Sequence, residues 1–265
     1  MLFRSMPLWE ALPAEKLSGE CFHDEVCGPV PVEFRREFER DLDRARRDLG
    51  AVPSRATTAW LRDMEALEAM FGAEVSPEEA PGALRADFVA ADDKPRFIHI
   101  DLGLKKDGCG IAMAHMEPTG EEEPLAVVDL AVKWKATEGE EIQLREVRQL
   151  VYELSARGFA IGKVTFDQFQ SADSRQQLAS RGYRVELQSV DRTMEAYEAL
   201  RELIHERRIE CHRQEELKRE LSELEVHEGR KVDHPVKGSK DLADAVAGAV
   251  WTALRAERSL GVVVY

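Results

Sequence analysis

The chain has 265 residues, of which 43% are hydrophobic and 33% charged, and a formal net charge of -14. That balance suits one large soluble domain or two small ones, and it argues against a surface that coats nucleic acid broadly. No apolar run reaches the roughly 20 residues of a membrane span, and the N-terminus lacks a signal-peptide core.

Residues 1–95 read as an N-terminal extension or linker segment, partly helical and partly irregular. "PLWEALPAEKLSGECFHDEVCGPVPVEF" is loop-like, its runs broken by prolines and glycines. "FRREFERDLDRARRDLGAVP" reads as a charged helix that ends at Gly50 and Pro53. "TTAWLRDMEALEAMFGAEV" reads as a second helix, capped by Thr57 or Thr58 and closed near Gly72. Cys21, Cys27, Cys109 and Cys211 follow no disulfide spacing, which favours a reducing cytoplasm. Cys21, His23 and Cys27 match no common zinc pattern.

From Pro95 the pattern becomes regular. Strands are expected at 96–102, at "CGIAMAHME" and at "LAVVDLAVKW", joined by short turns as an antiparallel meander. "IQLREVRQLVYELSARG" is an amphipathic helix with Leu144, Val147, Leu150, Val151 and Leu154 on one stripe. Then come a strand at "AIGKVTFD", a helix from about Ser171 and a strand at "YRVELQSV". Two helices follow, with the apolar step Ile209 to Cys211 between them, then a loop at "KVDHPVKGSK" and a long last helix from "DLADAVAGAV". This order predicts an α/β fold over 96–258: a mixed five-stranded sheet, three strands antiparallel and then parallel ones, with helices on both faces. Residues 259–265 read as a C-terminal tail.

Asp101 ends the first strand, where Phe97, His99 and Asp101 share one face. Aspartate is depleted in strands, and a buried carboxylate is costly unless it is paired or binds a metal. Taken alone, Asp101 reads equally well as turn chemistry before Gly103. Asp167 repeats the pattern at the end of "KVTFD". If the two strands pair in parallel, both acids meet at carboxyl ends, where open α/β sheets place ligands. Two such carboxylates repel each other, and a divalent cation relieves the repulsion. Asp241 and Asp244 lie three apart on the last helix, with Ser239 a good N-cap. Acids in a first turn also serve simply to complement the helix dipole.

"IHIDLGLKKDGCGIAM", "VTFDQFQSADSRQQL", "SVDRT" and "VDHPVKGSKDLADAVAGAV" closely resemble, in order, the nuclease half of tailed-phage terminase large subunits. The resemblance covers residues 96–256, and the stretch from "LWEA" to "ARRDLGAVP" looks like the segment joining motor to nuclease in some terminases. It implies an RNase H-like fold, shared with Holliday-junction resolvases. It also implies a two-metal endonuclease that cuts double-stranded DNA during genome packaging, using Mg2+ or Mn2+. On that likeness Asp101 bridges the two ions, Asp167 and Asp241 are further catalytic ligands, and Asp244 is an added ligand or a supporting group. The implied partners are DNA, a portal protein and a small terminase subunit, in a host cytoplasm and away from membranes. The chain carries no G-x-x-x-x-G-K-[ST] sequence, so it reads as an excised nuclease region or a product without the motor, not expected to hydrolyse ATP or translocate DNA.

For DNA backbone contacts the sequence offers Lys133 and Lys135 around Trp134, and Lys231, Lys237 and Lys240 flanking the loop before the acidic helix, with Gln170 after Asp167. Lys105, Lys106 and Gln168 fit solvated turns or a helix cap equally well, and His234 fits a structural role before Pro235 better than one assisting metal or water at the site. Cys109 and Cys211 read as core thiols. Three rival readings are a resolvase or RNase H, a sugar-kinase-like ATPase suggested by "IDLG", and a non-catalytic module docking on a portal. The ATPase reading lacks a second D-x-G and a Gly-rich adenosine loop.

Overall fold

The computed structural model describes residues 6–40, 45–46, 49–51, 57–72, 76–80, 82–102, 108–120, 123–134, 142–167, 171–227, 231–235 and 238–261. The chain divides into two compact units, 1–58 and 59–265. Residues 59–95, read from sequence with the extension, cluster with the second unit.

The first unit is more ordered than its prolines and glycines suggest. Strands Cys21–Asp24 and Gly28–Pro31 pair antiparallel, over a small core of Trp9, Val30, Phe38 and Ala45. Asp24 closes the turn by accepting from the backbone N–H of Val26 at 3.0 Å and Cys27 at 2.8 Å. The guanidinium of Arg46 pairs with it at 2.7 Å and holds its carboxyl well below the usual range. The donors of Cys21, His23 and Cys27 do not converge as a ligand set among the described residues.

The second unit opens with helix α1 (Met64–Met70). Its cap is Asp63, which accepts from Ala66 N at 2.9 Å. Thr57 and Thr58, the expected caps, instead lie in the short strand Thr57–Ala59. The central sheet is built from β1 (Pro95–Leu102), β2 (Cys109–Glu117), β3 (Leu125–Trp134), β4 (Ala160–Phe166), β5 (Val185–Leu187) and β6 (Ile209–Cys211). Its order is β5-β4-β1-β2-β3-β6. The β1–β2–β3 meander is antiparallel, while β4 joins β1, β5 joins β4 and β6 joins β3 in parallel. The sheet thus has six strands rather than the five expected. The sixth is the step Ile209–Cys211, too short and too closely flanked by helices to show a strand period.

Between the strands run α2 (Leu144–Ala156), α3 (Ala172–Ser180), α4 (Glu195–His205) and α5 (Glu215–Glu223). A hairpin of β7 (Glu225–His227) and β8 (Lys231–Asp233) replaces part of the expected loop. The last helix, α6, spans Asp241–Gly261.

Alternation along β1 sends its side chains into two cores. Ile98, Ile100 and Leu102 join Ile111, Met113, Leu130 and Val132 beneath the α2 stripe of Val147, Leu150, Val151 and Leu154. Phe97 points the other way, into a core with Ala112, Ala114 and the α6 residues Leu242, Val246, Ala249 and Val250. Two glycines set how closely α6 lies on this face. A Cβ on Gly110 would stand 1.9 Å from the Asp241 carbonyl oxygen, and one on Gly248 would stand 2.3 Å from the His99 ring. His99 is buried and fixed by a 2.7 Å hydrogen bond between its Nδ1 and Thr165 Oγ1, so its ring has no room to swing aside.

Gly110→Ala is therefore expected to cost at least about 3 kcal/mol, because only movement of α6 relieves a clash with backbone. Gly248→Ala should cost about 1–3 kcal/mol. Gly72→Ala, whose Cβ would meet nothing closer than the Ala69 carbonyl at 4.0 Å, should stay within about 0.5 kcal/mol. Urea midpoints at constant m-value check all three.

Candidate active site

Parallel pairing of β1 with β4 sets Ile100 opposite Phe166. The next residue on each chain is an aspartate, and the Asp167 backbone N–H donates to the Ile100 carbonyl at 3.3 Å. Asp101 and Asp167 thus end adjacent strands side by side. Across the antiparallel ladder Asp101 faces Gly110, and Gly110 is where the first turn of α6 touches the sheet. The Gly108 N–H donates to Asp241 Oδ2 at 3.1 Å, which ties that turn to the start of β2. Sheet pairing and one close helix contact bring the four predicted acids, distant in the chain, to one place.

The electrostatics follow from this geometry. Asp101 is 8% exposed. Burial, then repulsion from Asp244, Asp167 and Asp241, pushes its carboxyl well above the usual carboxylate range, and Lys240 relieves part of the rise. Asp244 is also raised by burial, against the opposing pull of Lys240 and Tyr197. Its Oδ1 accepts from Tyr197 OH at 2.5 Å, and its Oδ2 lies 2.9 Å from Lys240 Nζ. Asp167 Oδ1 accepts from Val190 N at 3.2 Å. The Asp101 carboxylate accepts no hydrogen bond from any described residue.

The predicted lysines divide. Lys133, offered from sequence for DNA backbone contacts, has a side chain that is 6% exposed and turned inward, with Nζ 2.8 Å from Glu220 and 2.9 Å from Asp241. Lys240 is likewise buried, bridging Asp191 at 2.5 Å and Asp244 at 2.9 Å. Burial opposes each charge, and the surrounding carboxylates more than offset it, so both ammoniums are held charged. Lys231 is exposed and paired with Asp233 at 2.6 Å. Lys135, Lys237, Gln170, Lys105, Lys106 and Gln168 lie outside the described residues. His234 Nδ1 bonds its neighbour's carbonyl, Pro235 O, at 2.7 Å, a structural contact.

Three residues of this site escaped the sequence reading: Glu220, Tyr197 and Asp191. Glu220 had a visible signal, since it stands on the α5 stripe that buries Leu217 and Leu221.

The donor set fits hard divalent cations. Three of its acids are buried and Asp167 is half-buried, they carry excess negative charge, and one acid is free of internal hydrogen bonds. No three of the four aspartates place oxygens within 4.8 Å of one another; the described trio that does so is Asp92, His115 and Glu117. That trio lies near the N-terminal end of β1, about 20 Å along the strand from Asp101. It is already paired, with Lys94 Nζ 2.6 Å from Glu117 and Arg96 bound to Asp92.

No protein-family model matches this chain, and no curated protein matches it. Solved structures do. The HK97 bacteriophage large terminase matches with a TM-score of 0.55 at 14% identity, over 84% of this chain and 48% of that one. The large terminase nuclease from thermophilic phage G20c matches with 0.53 at 14% identity, over 70% of this chain and 95% of that one.

The fold is that of the large terminase nucleases.

Structures of the G20c nuclease with bound magnesium and with bound cobalt match at a TM-score of 0.51. The chain spans just under half the length of the HK97 large terminase and nearly all of the G20c nuclease. The mixed sheet accords with the RNase H-like architecture of these terminase nucleases.

Since Asp101 suffers burial and three repulsive neighbours, Asp101→Asn should raise the urea midpoint in EDTA. The gain should be about 1 kcal/mol or more, because one pKa unit corresponds to about 1.4 kcal/mol. Equilibrium unfolding at pH 7 of wild type and variant checks it.

Proposed function

We propose that this chain is a metal-dependent endonuclease that cuts double-stranded DNA during viral genome packaging, by two-metal-ion phosphodiester hydrolysis. The observation that carries this reading is the convergence of Asp101, Asp167, Asp241 and Asp244 at the carboxyl ends of β1 and β4, in a large terminase nuclease fold.

Asp101, Asp167 and Asp241 would hold the ions, with Asp101 between the other two. Bound Mg2+ or Mn2+ would supply the Lewis acidity that activates water and neutralises the leaving oxygen. The rest is done by the chain. Parallel strand pairing fixes Asp101 against Asp167, and the Gly110 contact fixes Asp241 over them. Tyr197 and Lys240 together occupy both oxygens of Asp244, so Asp244 acts as a supporting charge. Lys133 and Lys240 balance the acids rather than grip DNA. Backbone contacts then fall to other groups: the exposed Lys231 is one, and Lys135, Lys237 and Gln170 are the sequence candidates that remain. In a packaging complex the partners would be DNA, a portal protein and a small terminase subunit, in a host cytoplasm. No described helix is long and apolar enough to cross a membrane.

The purified chain should nick or linearise plasmid DNA in Mn2+ with little sequence preference, and EDTA should stop it. Asp101→Asn should lower cleavage by at least roughly 100-fold while keeping the wild-type circular dichroism spectrum. Persistent cutting by that variant would overturn the assignment. Preference for a four-way junction or an RNA–DNA hybrid over linear duplex would move the substrate class to that of a resolvase or an RNase H.

A further inference from the structure

Glu220 lies on α5, outside the four-acid set, and is 1% exposed. Its one carboxylate gathers four donors. Oε1 accepts from Lys133 Nζ at 2.8 Å and Ser239 Oγ at 3.0 Å. Oε2 accepts from the backbone N–H groups of Leu242 at 2.9 Å and Ala243 at 3.0 Å. An ionised carboxylate has about four acceptor sites, so Glu220 is saturated. Leu242 and Ala243 carry two of the N–H groups that every helix start leaves unpaired. The cap for α6 therefore comes from another helix. Ser239, the cap expected from sequence, turns its hydroxyl toward carboxylates instead.

The same network fixes Asp241. Its Oδ2 lies 2.9 Å from Lys133 Nζ, accepts from Gly108 N at 3.1 Å, and shares with Glu220 Oε1 the one hydroxyl proton of Ser239, whose Oγ is 2.9 Å away. Two of these three donors, Lys133 and Ser239, are themselves held by Glu220. With Oδ2 occupied, the other oxygen, Oδ1, accepts no hydrogen bond from any described residue and is the one left to bind an ion.

We infer that Glu220 is a positioning residue for the metal site: by capping α6 and anchoring Lys133 and Ser239, it makes Asp241 a one-oxygen ligand. This rests on the metal-nuclease reading. Both Glu220 oxygens are already engaged by Lys133, Ser239, Leu242 and Ala243, so it acts through the orientation of Asp241 and not as a ligand.

The test is Mn2+ affinity, read by titration calorimetry on the full chain without DNA. Glu220→Gln keeps the shape and one carbonyl-type acceptor for the Leu242 and Ala243 N–H groups, but its amide no longer anchors the Lys133 ammonium. Glu216→Gln is the control for charge, because Glu216 Oε1 lies 3.2 Å from the same ammonium. The expected result is a 10- to 100-fold weaker Mn2+ affinity for Glu220→Gln, in the range seen when groups that orient a ligand are lost, with the fold intact by circular dichroism. Glu216→Gln should weaken binding less than about 3-fold. Equal losses in the two variants would show that only net charge matters, and would overturn the assignment. Wild-type affinity in Glu220→Gln would overturn it too. Wild type that binds no Mn2+ would remove the metal-nuclease reading itself, and this inference with it. Should Glu220→Gln not fold, Ser239→Ala replaces it, with a loss of affinity larger than that of Glu216→Gln supporting the inference and none overturning it.

Discussion

The close seating of α6 on Gly110 is the contact on which the rest of the site depends. It carries Asp241 and Asp244 to within electrostatic reach of Asp101 and Asp167. Burying carboxylates together is expensive, since each loses its water and each repels the others. The fold meets that cost with two inward ammoniums, Lys133 against Asp241 and Lys240 against Asp244. The compensation is partial. Asp101 keeps a raised affinity for a proton even with Lys240 near. A site left in that state is predisposed to take up positive charge, and functional sites are where stability is commonly given up in this way.

The inward lysines also change how DNA contact has to be understood. A chain of net charge -14 has little general attraction for a polyanion. Lys133 and Lys240 cannot add to it, because their charge is already spent on Asp241, Glu220, Asp191 and Asp244. Divalent ions would then do two jobs in one place, lowering the negative potential that a phosphodiester meets and polarising it. On the proposed function, binding and chemistry would be coupled to the same ions, and DNA engagement would be steeply metal-dependent and not merely salt-dependent.

Much of this was legible in the sequence, for identifiable reasons. The strands at 95–102, 109–117 and 125–134 and the α2 stripe repeat with clean periods, and both Asp101 and Asp167 stand out because each ends an apolar strand. The meeting of Asp101 with Asp167 followed from one parallel pairing. Other features depend on contacts between elements far apart in the chain and leave little local trace. The cap of α6 is Glu220, 21 positions before the helix begins, so the local rule that favours Ser239 failed. Lys133 reads as one of two alternating lysines on an edge-like strand until α5 and α6 are seen to cover it. β6 has three residues, too few for a period, and is recruited only because β3 offers an open parallel edge.

The two acidic clusters of this unit show why composition alone does not mark a metal site. Near the start of β1, Asp92, Glu117 and Asp129 stand with Lys94, Arg96 and His115; Lys94 lies 2.6 Å from Glu117, and His115 Nδ1 lies 2.8 Å from Asp129. Each acid there has its own partner, and a cation arriving would have to displace an ammonium or a guanidinium that is already desolvated in place. This is the behaviour of a structural ion-pair network, tight in geometry, with every acid already engaged. Around α6, Asp101, Asp167, Asp191, Glu220, Asp241 and Asp244 share two lysines. Its oxygens stand further apart than those of the first trio, yet the charge left unbalanced is greater. Ligand atoms can close on an ion by small side-chain rotations, whereas a missing counter-charge has to be supplied from outside. The looser cluster is therefore the better cation site.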